Sequence, residues 1–448
     1  MTCASRYAAA LAALALVFLQ AGCGGGNSSV TTIIGGGTGG GTGGSVVAID
    51  TPTGPNTTEI VVDSGPAQGF SLGAANIPYV TVTVCTPGSS SDCVTIDHVL
   101  LDTGSIGLRL LKSTVAKLSL PAVAVPVDAP SATPAGAAVE CYQFVLGGLW
   151  GPLATVDLRI GGELASSLPI QLIDDATPAS YAAPADCVKA SNGGLQASVA
   201  SLQANGILGV GMIAYDCGLE CMTGNYASGY TLYYSCQGAP NATCAPAAVP
   251  AGLQTQNPVV HFAVDNNGTV IVLPALPDLG AGVAKGRLVF GIGTQSNNQI
   301  PLAAKMYFVD ANPASATYLY LSTTVGSATY TDSYIDSGSN AVFFDDASIA
   351  QGCQSSSGSG SGWYCPSSLI RRTAMVRDAF GTSGPVDFAV ANADALFSTP
   401  SLAFADLAGS VNQGANTFVW GLPFFYGRSV FTSIWGQVLS PNGPWNAF

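Results

Sequence analysis

The chain has 448 residues, of which 48% are hydrophobic and only 9% charged, and its formal net charge is −13 at pH 7. So few charged residues exclude an architecture with many long surface helices. The acidic balance excludes the basic surface on which nucleic-acid binding depends. The length accommodates two domains. Short runs rich in Val, Thr, Ile and Tyr, separated by Gly, Pro, Asn and Ser, predict an all-β protein.

The first 22 residues have the pattern of an export signal. Arg6 precedes 13 uninterrupted apolar residues, Tyr7 to Leu19, a stretch too short to span a bilayer. Cys23 follows small residues, an arrangement that resembles the bacterial lipoprotein signal, although Gln20 stands where an apolar residue is usual. We expect cleavage after residue 22, a lipid anchor on Cys23 and a place in the cell envelope. Secretion without an anchor is the alternative.

Ten further cysteines would then lie in an oxidising compartment, where an even number predicts up to five disulfides. Proximity in sequence favours two pairs, Cys85–Cys93 and Cys353–Cys365. A zinc site in the segment 217–244 is the alternative for four others, but no His lies nearby, so we expect disulfides and no metal. The disulfide candidates are Cys85, Cys93, Cys141, Cys187, Cys217, Cys221, Cys236, Cys244, Cys353 and Cys365.

Residues 23–68 are rich in Gly, Ser and Thr and predict a tether, with folded structure starting near Gly69. The first clear strand is Tyr79–Val84, which alternates apolar and polar residues. Residues 141–160 predict a hairpin with Gly147-Gly148 near its turn, and Leu195–Ala204 has helical spacing. Further strands are predicted at Val94–Leu101, Val259–Val264, Thr269–Leu273, Arg287–Gly291 and Tyr318–Ser322.

Two segments of one design stand out in this pattern. Val99 to Ser105 and Ser333 to Ser339 each run from an apolar strand into Asp, a hydroxyl residue, Gly and a second hydroxyl residue. One such segment is ordinary turn chemistry, and Val61 to Pro66, which has Pro in the last position, is interpreted as a turn. Two copies 234 residues apart predict a duplicated lobe that brings Asp102 and Asp336 together.

A second repeated signature accompanies each Asp segment, namely two apolar residues and a Gly. Ile207-Leu208-Gly209 follows the first and Val419-Trp420-Gly421 the second. In order and spacing, these motifs resemble the pepsin-like aspartic proteases across about residues 75–448. The resemblance implies a bilobal fold of two β-barrel-like lobes, predicted at 69–295 and 296–448, with a central cleft. The Gly-rich start also resembles a bacterial lipoprotein family known only as a domain of unknown function.

The resemblance assigns a role to each motif residue. Asp102 and Asp336 would share a proton, and the ionised member would activate a water while the protonated member binds the scissile carbonyl. Such chemistry uses no metal and no cofactor. Hydroxyls of the second motif position would cross-brace the two loops, and those of the fourth would bond the outer carboxylate oxygens. The supporting residues are Thr103, Gly104, Ser105, Ser337, Gly338 and Ser339.

This chain departs from the family around the cleft. Ile106 to Arg109 follows the first motif, where the family usually has an aromatic residue. The family closes its cleft with a hairpin that carries a Tyr. Phe144 lies in that region with two further candidates, and we assign the flap to Tyr142 and Trp150.

Two histidines, His98 and His261, are the only ones available to a Ser-His-Asp hydrolase, and each is predicted inside a strand with a structural role. We therefore predict an aspartic endopeptidase that binds an extended polypeptide as an added strand. A noncatalytic peptide- or ligand-binding lipoprotein is the alternative, and a purely structural envelope protein is a third hypothesis. The sequence makes no prediction of oligomeric state.

Overall fold

The computed structural model describes residues 45–48, 54–66, 75–126, 135–145, 147–176, 179–191, 194–223, 231–238, 243–351, 353, 362–411, 416–437 and 443–448. Strands dominate these residues, and the all-β prediction is confirmed. Its helices are one or two turns long: α1 Ala185–Ala190, α2 Val199–Leu202, α3 Leu219–Thr223 and α4 Ala393–Phe397, with 3-10 turns at Lys112–Val115, Ala251–Leu253, Pro258–His261 and Leu422–Phe425.

The larger sheet contains the first fifteen strands and the last two, so both ends of the described chain lie in it. It consists of β1 Val46–Ala48, β2 Thr57–Val62, β3 Pro78–Cys85, β4 Cys93–Asp102, β5 Ile106–Leu111, β6 Ala124–Val125, β7 Gly136–Phe144, β8 Gly147–Ile160, β9 Glu163–Ile173, β10 Gly206–Val210, β11 Tyr233–Gln237, β12 Thr243–Pro246, β13 Gly268–Val272, β14 Val283–Phe290, β15 Met306–Phe308, β23 Ser429–Ser433 and β24 Trp445–Ala447.

The smaller sheet holds the second Asp segment. Its strands are β16 Leu321–Val325, β17 Ala328–Ile335, β18 Val342–Phe344, β19 Ile370–Arg377, β20 Ser383–Val390, β21 Ala408–Gly409 and β22 Thr417–Trp420, in the spatial order β20-β19-β16-β17-β22-β18-β21. One apolar cluster spans both sheets, with Leu101 and Leu208 from the larger sheet and Ile335 and Trp420 from the smaller. The two sheets therefore share a core.

The same local topology occurs once in each sheet. β10 pairs in parallel with β4 and antiparallel with β5, so it lies between the strands on either side of the first Asp motif. β22 pairs in parallel with β17 and antiparallel with β18 around the second. This is the duplication that the paired motifs predicted, because each apolar-apolar-Gly segment forms the strand threaded beneath an Asp loop.

Glycine at the end of each threaded strand follows from close backbone approach. A Cβ on Gly209 would lie 2.6 Å from the amide nitrogen of Ile106, and one on Gly421 would lie 2.0 Å from the carbonyl oxygen of Ala341. No other residue fits at such distances without moving the Asp loop.

The predicted domain limits differ from the structure at both ends. β1 and β2 lie inside the range 23–68 that was predicted as a tether, and β2 pairs with both β14 and β3. Asp63 does begin a turn, since it accepts a hydrogen bond from Gly65, but this turn follows a sheet strand. β23 and β24, from the predicted second lobe, join the larger sheet through β13 and β15.

Three predicted elements need correction. The helix predicted at Leu195–Ala204 is limited to α2, because Ser198 caps it and Gln203 ends it at a positive φ of 55°. The predicted strand Val259–Val264 is a 3-10 turn, since Pro258 occupies its first turn and the Asn257 side chain accepts from the Val259 amide. The strand predicted at Tyr318–Ser322 starts later, as β16.

Candidate active site

Asp102 and Asp336 occupy equivalent places in the two sheets. Asp102 is the last residue of β4, and Asp336 directly follows β17, where its amide donates to the Trp420 carbonyl. Each carboxylate turns back onto its own loop: the Gly104 amide donates to Asp102 Oδ1 at 2.8 Å, and the Gly338 amide to Asp336 Oδ1 at 2.9 Å. These bonds fix the direction of both carboxylates.

The two carboxyl groups lie together across the sheet boundary. A Cβ on Gly104 would lie 2.7 Å from Asp336 Oδ1, and one on Gly338 would lie 2.6 Å from Asp102 Oδ1. Only 1% of Asp102 and none of Asp336 is exposed. Burial, the Asp102 charge and a hydrogen bond to Asp102 raise the pKa of the Asp336 carboxyl well above its usual range. The pair therefore holds a proton at a pH where separate carboxylates would not.

A reciprocal set of hydrogen bonds joins the two loops. The Thr103 amide donates to Ser337 Oγ at 3.1 Å, and the Ser337 amide donates to Thr103 Oγ1 at 2.9 Å. Each hydroxyl also donates to the opposite strand, Thr103 to the Ile335 carbonyl and Ser337 to the Leu101 carbonyl. This is the cross-brace that the resemblance implied, and it fixes the separation of the two Asp loops.

The fourth motif position differs between the loops. Ser339 Oγ donates to Asp336 Oδ2 at 2.6 Å, as the resemblance implied. Ser105 does not bond Asp102, because its buried hydroxyl has no partner among the described residues. The expectation for Ser105 is therefore wrong. The Asp336 carboxylate therefore accepts from both Gly338 and Ser339 of its own loop, whereas Asp102 accepts from Gly104 but not from Ser105.

The hairpin β7–β8 presents its two predicted flap residues to opposite faces. Tyr142 pairs with Leu149 across the hairpin, and Cys141 pairs with Trp150. Because neighbouring residues in a strand point to opposite sides of the sheet, the side chains of Tyr142 and Trp150 lie on opposite faces. Tyr142 lines a cavity together with Thr103 and Gly104. Trp150 instead packs against Tyr234, and its indole donates to the Tyr181 carbonyl. The assignment of Trp150 to the flap is thus wrong, and Tyr142 alone faces the site.

Arg109 is the residue at this site that sequence reasoning did not place. It is fully buried, and its guanidinium carbon lies 3.6 Å from the centroid of the Tyr142 ring. It donates to the Ile106 carbonyl at 2.6 Å, to Glu140 at 2.7 Å and to Asp216 at 3.1 Å. Burial alone would lower the pKa of Arg109, but the charges of its neighbours raise it overall. A cation–π and ion-pair cluster therefore takes the position of the expected aromatic.

An apolar cavity adjoins the dyad. The carboxyl groups themselves do not line it, but Thr103 and Gly104 on one side and Tyr334 and Ile335 on the other do. Burial raises the pKa of the Tyr334 hydroxyl well above its usual range, and the charges of Asp336 and Asp102 raise it further. A group bound in this cavity would therefore contact residues flanking both carboxyl groups.

The five predicted disulfides are present. Cys85–Cys93 and Cys353–Cys365 form as proximity suggested, and the zinc alternative is wrong because its four cysteines pair with each other as Cys217–Cys221 and Cys236–Cys244. Cys141–Cys187 ties the hairpin strand β7 to α1. Within the described part of the chain, the one group with metal-ligand spacing contains the disulfide-bonded Cys353 and Cys365, whose sulfurs are already in use.

Both histidines have local partners. His98 lies in β4 and contacts Asp63 at 3.3 Å, a hydrogen bond that raises its pKa. His261 lies in a 3-10 turn rather than the predicted strand and bonds Gln256 at 2.8 Å. Burial lowers the pKa of His261.

The predicted signal segment and Cys23 lie outside the described residues. In the described part of the chain, no helix has the length and apolar character that crossing a bilayer requires.

The family profile of proteins of unknown function, DUF3443, matches residues 52–448. The chain belongs to this family. An uncharacterised family was one of the two expected resemblances, and the match confirms it. No curated protein sequence matches this DUF3443 chain. Among solved structures, the crystal structure of aspartic proteinase from Irpex lacteus aligns with a TM-score of 0.44 and 13% identity, covering 87% of this chain and 96% of that one.

Proposed function

We propose that this protein is an aspartic endopeptidase that hydrolyses peptide bonds with a water activated by Asp102 and Asp336. The observation that carries the proposal is the facing of two buried carboxyl groups on loops braced by Thr103 and Ser337. The protonated member of the pair would hydrogen-bond the substrate carbonyl, and the ionised member would take the proton of the attacking water. The proposal involves neither a metal nor a cofactor.

Export and lipid anchoring at Cys23 belong to the same proposal. Five disulfides support an oxidising compartment, since cytosolic proteins rarely hold them. Replacement of Cys23 by Ser should release the protein from the membrane fraction of cells. Continued membrane association of Cys23→Ser would contradict the anchor and leave the proposed catalysis untouched.

The test of catalysis is cleavage of denatured serum albumin by the purified full-length protein, over about pH 3 to about pH 8. We expect a bell-shaped profile on the acid side of neutrality, because activity requires one proton on the pair. Asp102→Asn and Asp336→Asn should each abolish cleavage. Asp63→Asn is the matched control, since Asp63 heads a third segment of Asp, a hydroxyl residue and Gly, in a turn after β2, and should leave cleavage unchanged.

A noncatalytic peptide-binding protein is the second candidate. It is favoured by the burial of both carboxyl groups and by the missing Ser105 bond to Asp102. Its signature would be peptide binding without cleavage by folded wild-type protein at every pH tested. That outcome would overturn the proposed catalysis.

A further inference from the structure

The hairpin β7–β8 stands where the resemblance implied a flap, and it is buried on both faces. All residues from 138 to 144 and from 147 to 151 are buried, with Tyr142 toward the cavity and Trp150 against Tyr234. Segments that open to admit a substrate have few buried contacts and backbone hydrogen bonds that solvent can reach. This hairpin has the opposite arrangement.

Both outer edges of the hairpin are bonded to neighbouring segments. On the β7 side, β11 pairs with the strand as far as Glu140, and the Cys141 amide then donates to the Leu232 carbonyl at 2.7 Å. On the β8 side, the Asp174 amide donates to the Trp150 carbonyl at 2.9 Å. Neither edge can move away from the rest of the sheet without breaking these buried hydrogen bonds, and unpaired buried backbone groups are costly.

The part of β8 nearest the hairpin turn is bonded as well. The Gly148 amide donates to the Gly194 carbonyl at 3.0 Å, and the Gly148 carbonyl accepts from the Gln196 amide at 2.8 Å. A Cβ on Gly148 would lie 2.1 Å from the Ser191 hydroxyl oxygen, so glycine is what permits this close approach. The segment after α1 therefore holds the end of the hairpin that a moving flap would leave free.

Two further contacts hold the strand that carries Tyr142. The disulfide Cys141–Cys187 ties the preceding residue to α1. The guanidinium carbon of Arg109 lies 3.6 Å from the centroid of the Tyr142 ring, and Arg109 itself donates to the Ile106 carbonyl, directly after the first Asp motif. This cation–π contact fixes the Tyr142 ring relative to the first Asp loop.

An immobile hairpin limits how a substrate can reach the dyad. Only 1% of Asp102 and none of Asp336 is exposed, and Tyr142 lines the adjoining cavity together with Tyr334 of the smaller sheet. The hairpin and both sheets therefore bound the space beside the dyad. An internal segment of a polypeptide could be laid into this space only if the hairpin lifted, whereas a chain end needs no more room than one extended chain.

We propose that the β7–β8 hairpin is a fixed wall and that the site admits a polypeptide only by a free chain end, which is threaded past Tyr142. The inference rests on the proposed function in taking the substrate to be a polypeptide bound at the dyad. The substrates are then linear, unfolded chains, and ring-closed peptides are excluded. An internal bond of a linear chain can still be cleaved once the chain end has passed the dyad.

The test compares two fluorescein-labelled peptides of one sequence, one linear and the other closed head to tail. A ring of about 30 residues can still present an extended segment of about 8 residues, so ring closure removes the chain ends and little else. The purified full-length protein should cleave the linear peptide at least about a hundredfold faster than the ring, measured by mass spectrometry of the products. Denatured serum albumin is the reference substrate in the same reactions.

Hydrogen exchange tests the wall directly and does not require activity. The amides of Cys141 and Gly148 should exchange as slowly as those of β10, the strand threaded beneath the first Asp loop. Cys141→Ser combined with Cys187→Ser should speed exchange in the hairpin. Cys353→Ser combined with Cys365→Ser is the matched control, because that disulfide packs against the apolar cluster of the smaller sheet, and it should leave exchange in the hairpin unchanged.

Fast exchange of the hairpin amides in the wild-type protein would overturn the inference. Equal cleavage of ring and linear peptide would also overturn it and would keep the proposed catalysis. If neither peptide nor albumin is cleaved, the proposed catalysis fails, and fluorescence anisotropy of the same two peptides decides the route of entry. Binding of the linear peptide alone would then support threading, whereas equal binding of both peptides, or of neither, would contradict it.

Discussion

Replacing Arg109 by Met removes the one positive group that the described residues place in the cluster with Glu140 and Asp216, while keeping an unbranched stem in place. The change deletes hydrogen bonds to the Ile106 carbonyl, Glu140 and Asp216, and it removes the cation over the Tyr142 ring. Breaking a buried ion pair by removing one partner costs about 3–5 kcal/mol, because the other charge stays buried without compensation. We expect Arg109→Met to lower the free energy of unfolding by about 4 kcal/mol at neutral pH.

The assay is equilibrium unfolding in urea, followed by tryptophan fluorescence at neutral and acid pH. The penalty should shrink toward acid pH, since protonation of Asp216, whose pKa burial raises, removes negative charge that Arg109 balances. Arg159→Met, at an exposed position of β8, is the control and should change stability by no more than about 0.5 kcal/mol. A loss below about 1 kcal/mol for Arg109→Met, or one that grows as the pH falls, would refute this reasoning.

Three further predictions concern stability. The pKa of Asp336 is raised in the folded state, so its contribution to the free energy of unfolding is complete below the unfolded pKa of about 4 and declines by about 1.4 kcal/mol per pH unit above it, until the folded carboxyl ionises. Asp336→Asn should flatten this decline in urea unfolding measured at several pH values. An unchanged dependence of stability on pH in the variant would contradict the raised pKa. Asn76→Ala should lower the free energy of unfolding by about 3 kcal/mol in thermal unfolding. The buried side-chain amide donates to the Asn340 and Phe404 carbonyls and accepts from the Phe404 amide and the Tyr426 hydroxyl. A loss below about 1 kcal/mol would show that the freed groups find other partners. Removing the Cys141–Cys187 disulfide, which spans 46 residues, should cost about 4 kcal/mol by loop-closure entropy. Removing the disulfide that spans 4 residues should cost about 2 kcal/mol, and the reverse order of the two losses would contradict the entropic explanation.

The parts of the site that follow from local sequence were predictable. Each Asp loop is a contiguous motif, and its Gly allows the turn wherever the motif stands in the chain. The threaded strands carry their own signature, since a Cβ at Gly209 or Gly421 would meet backbone at 2.6 Å or less. The short-range disulfides follow from proximity for the same reason. Local geometry decided all of these features.

Features that depend on distant partners were not predictable. Arg109 finds Glu140 31 residues away and Asp216 107 residues away, and no sequence pattern joins the three. Ser105 and Ser339 occupy the same motif position, yet only Ser339 reaches its carboxylate. Neighbours brought by the fold decide the orientation of such side chains.

Two wrong predictions, the strand at Val259–Val264 and the tether over β2, could have been avoided from the local sequence. Asn257-Pro258 is an ordinary start for a helical turn, but the apolar run after it favoured a strand. β2, with its Thr, Ile and Val residues, has the composition of a strand. The Gly-rich sequence before it favoured a tether, so the beginning of the fold was predicted too late in the chain.

The cross-brace between Thr103 and Ser337 has a consequence for how the chain folds. Its partners lie 234 residues apart, so forming this contact costs the conformational entropy of closing a loop about half as long as the chain. Neither sheet alone holds both facing carboxyl groups, and a chain that has folded only its first half has a single, unbraced Asp loop. Completion of the second sheet is therefore the step that creates the pair of carboxyl groups, and an incompletely folded molecule does not contain it.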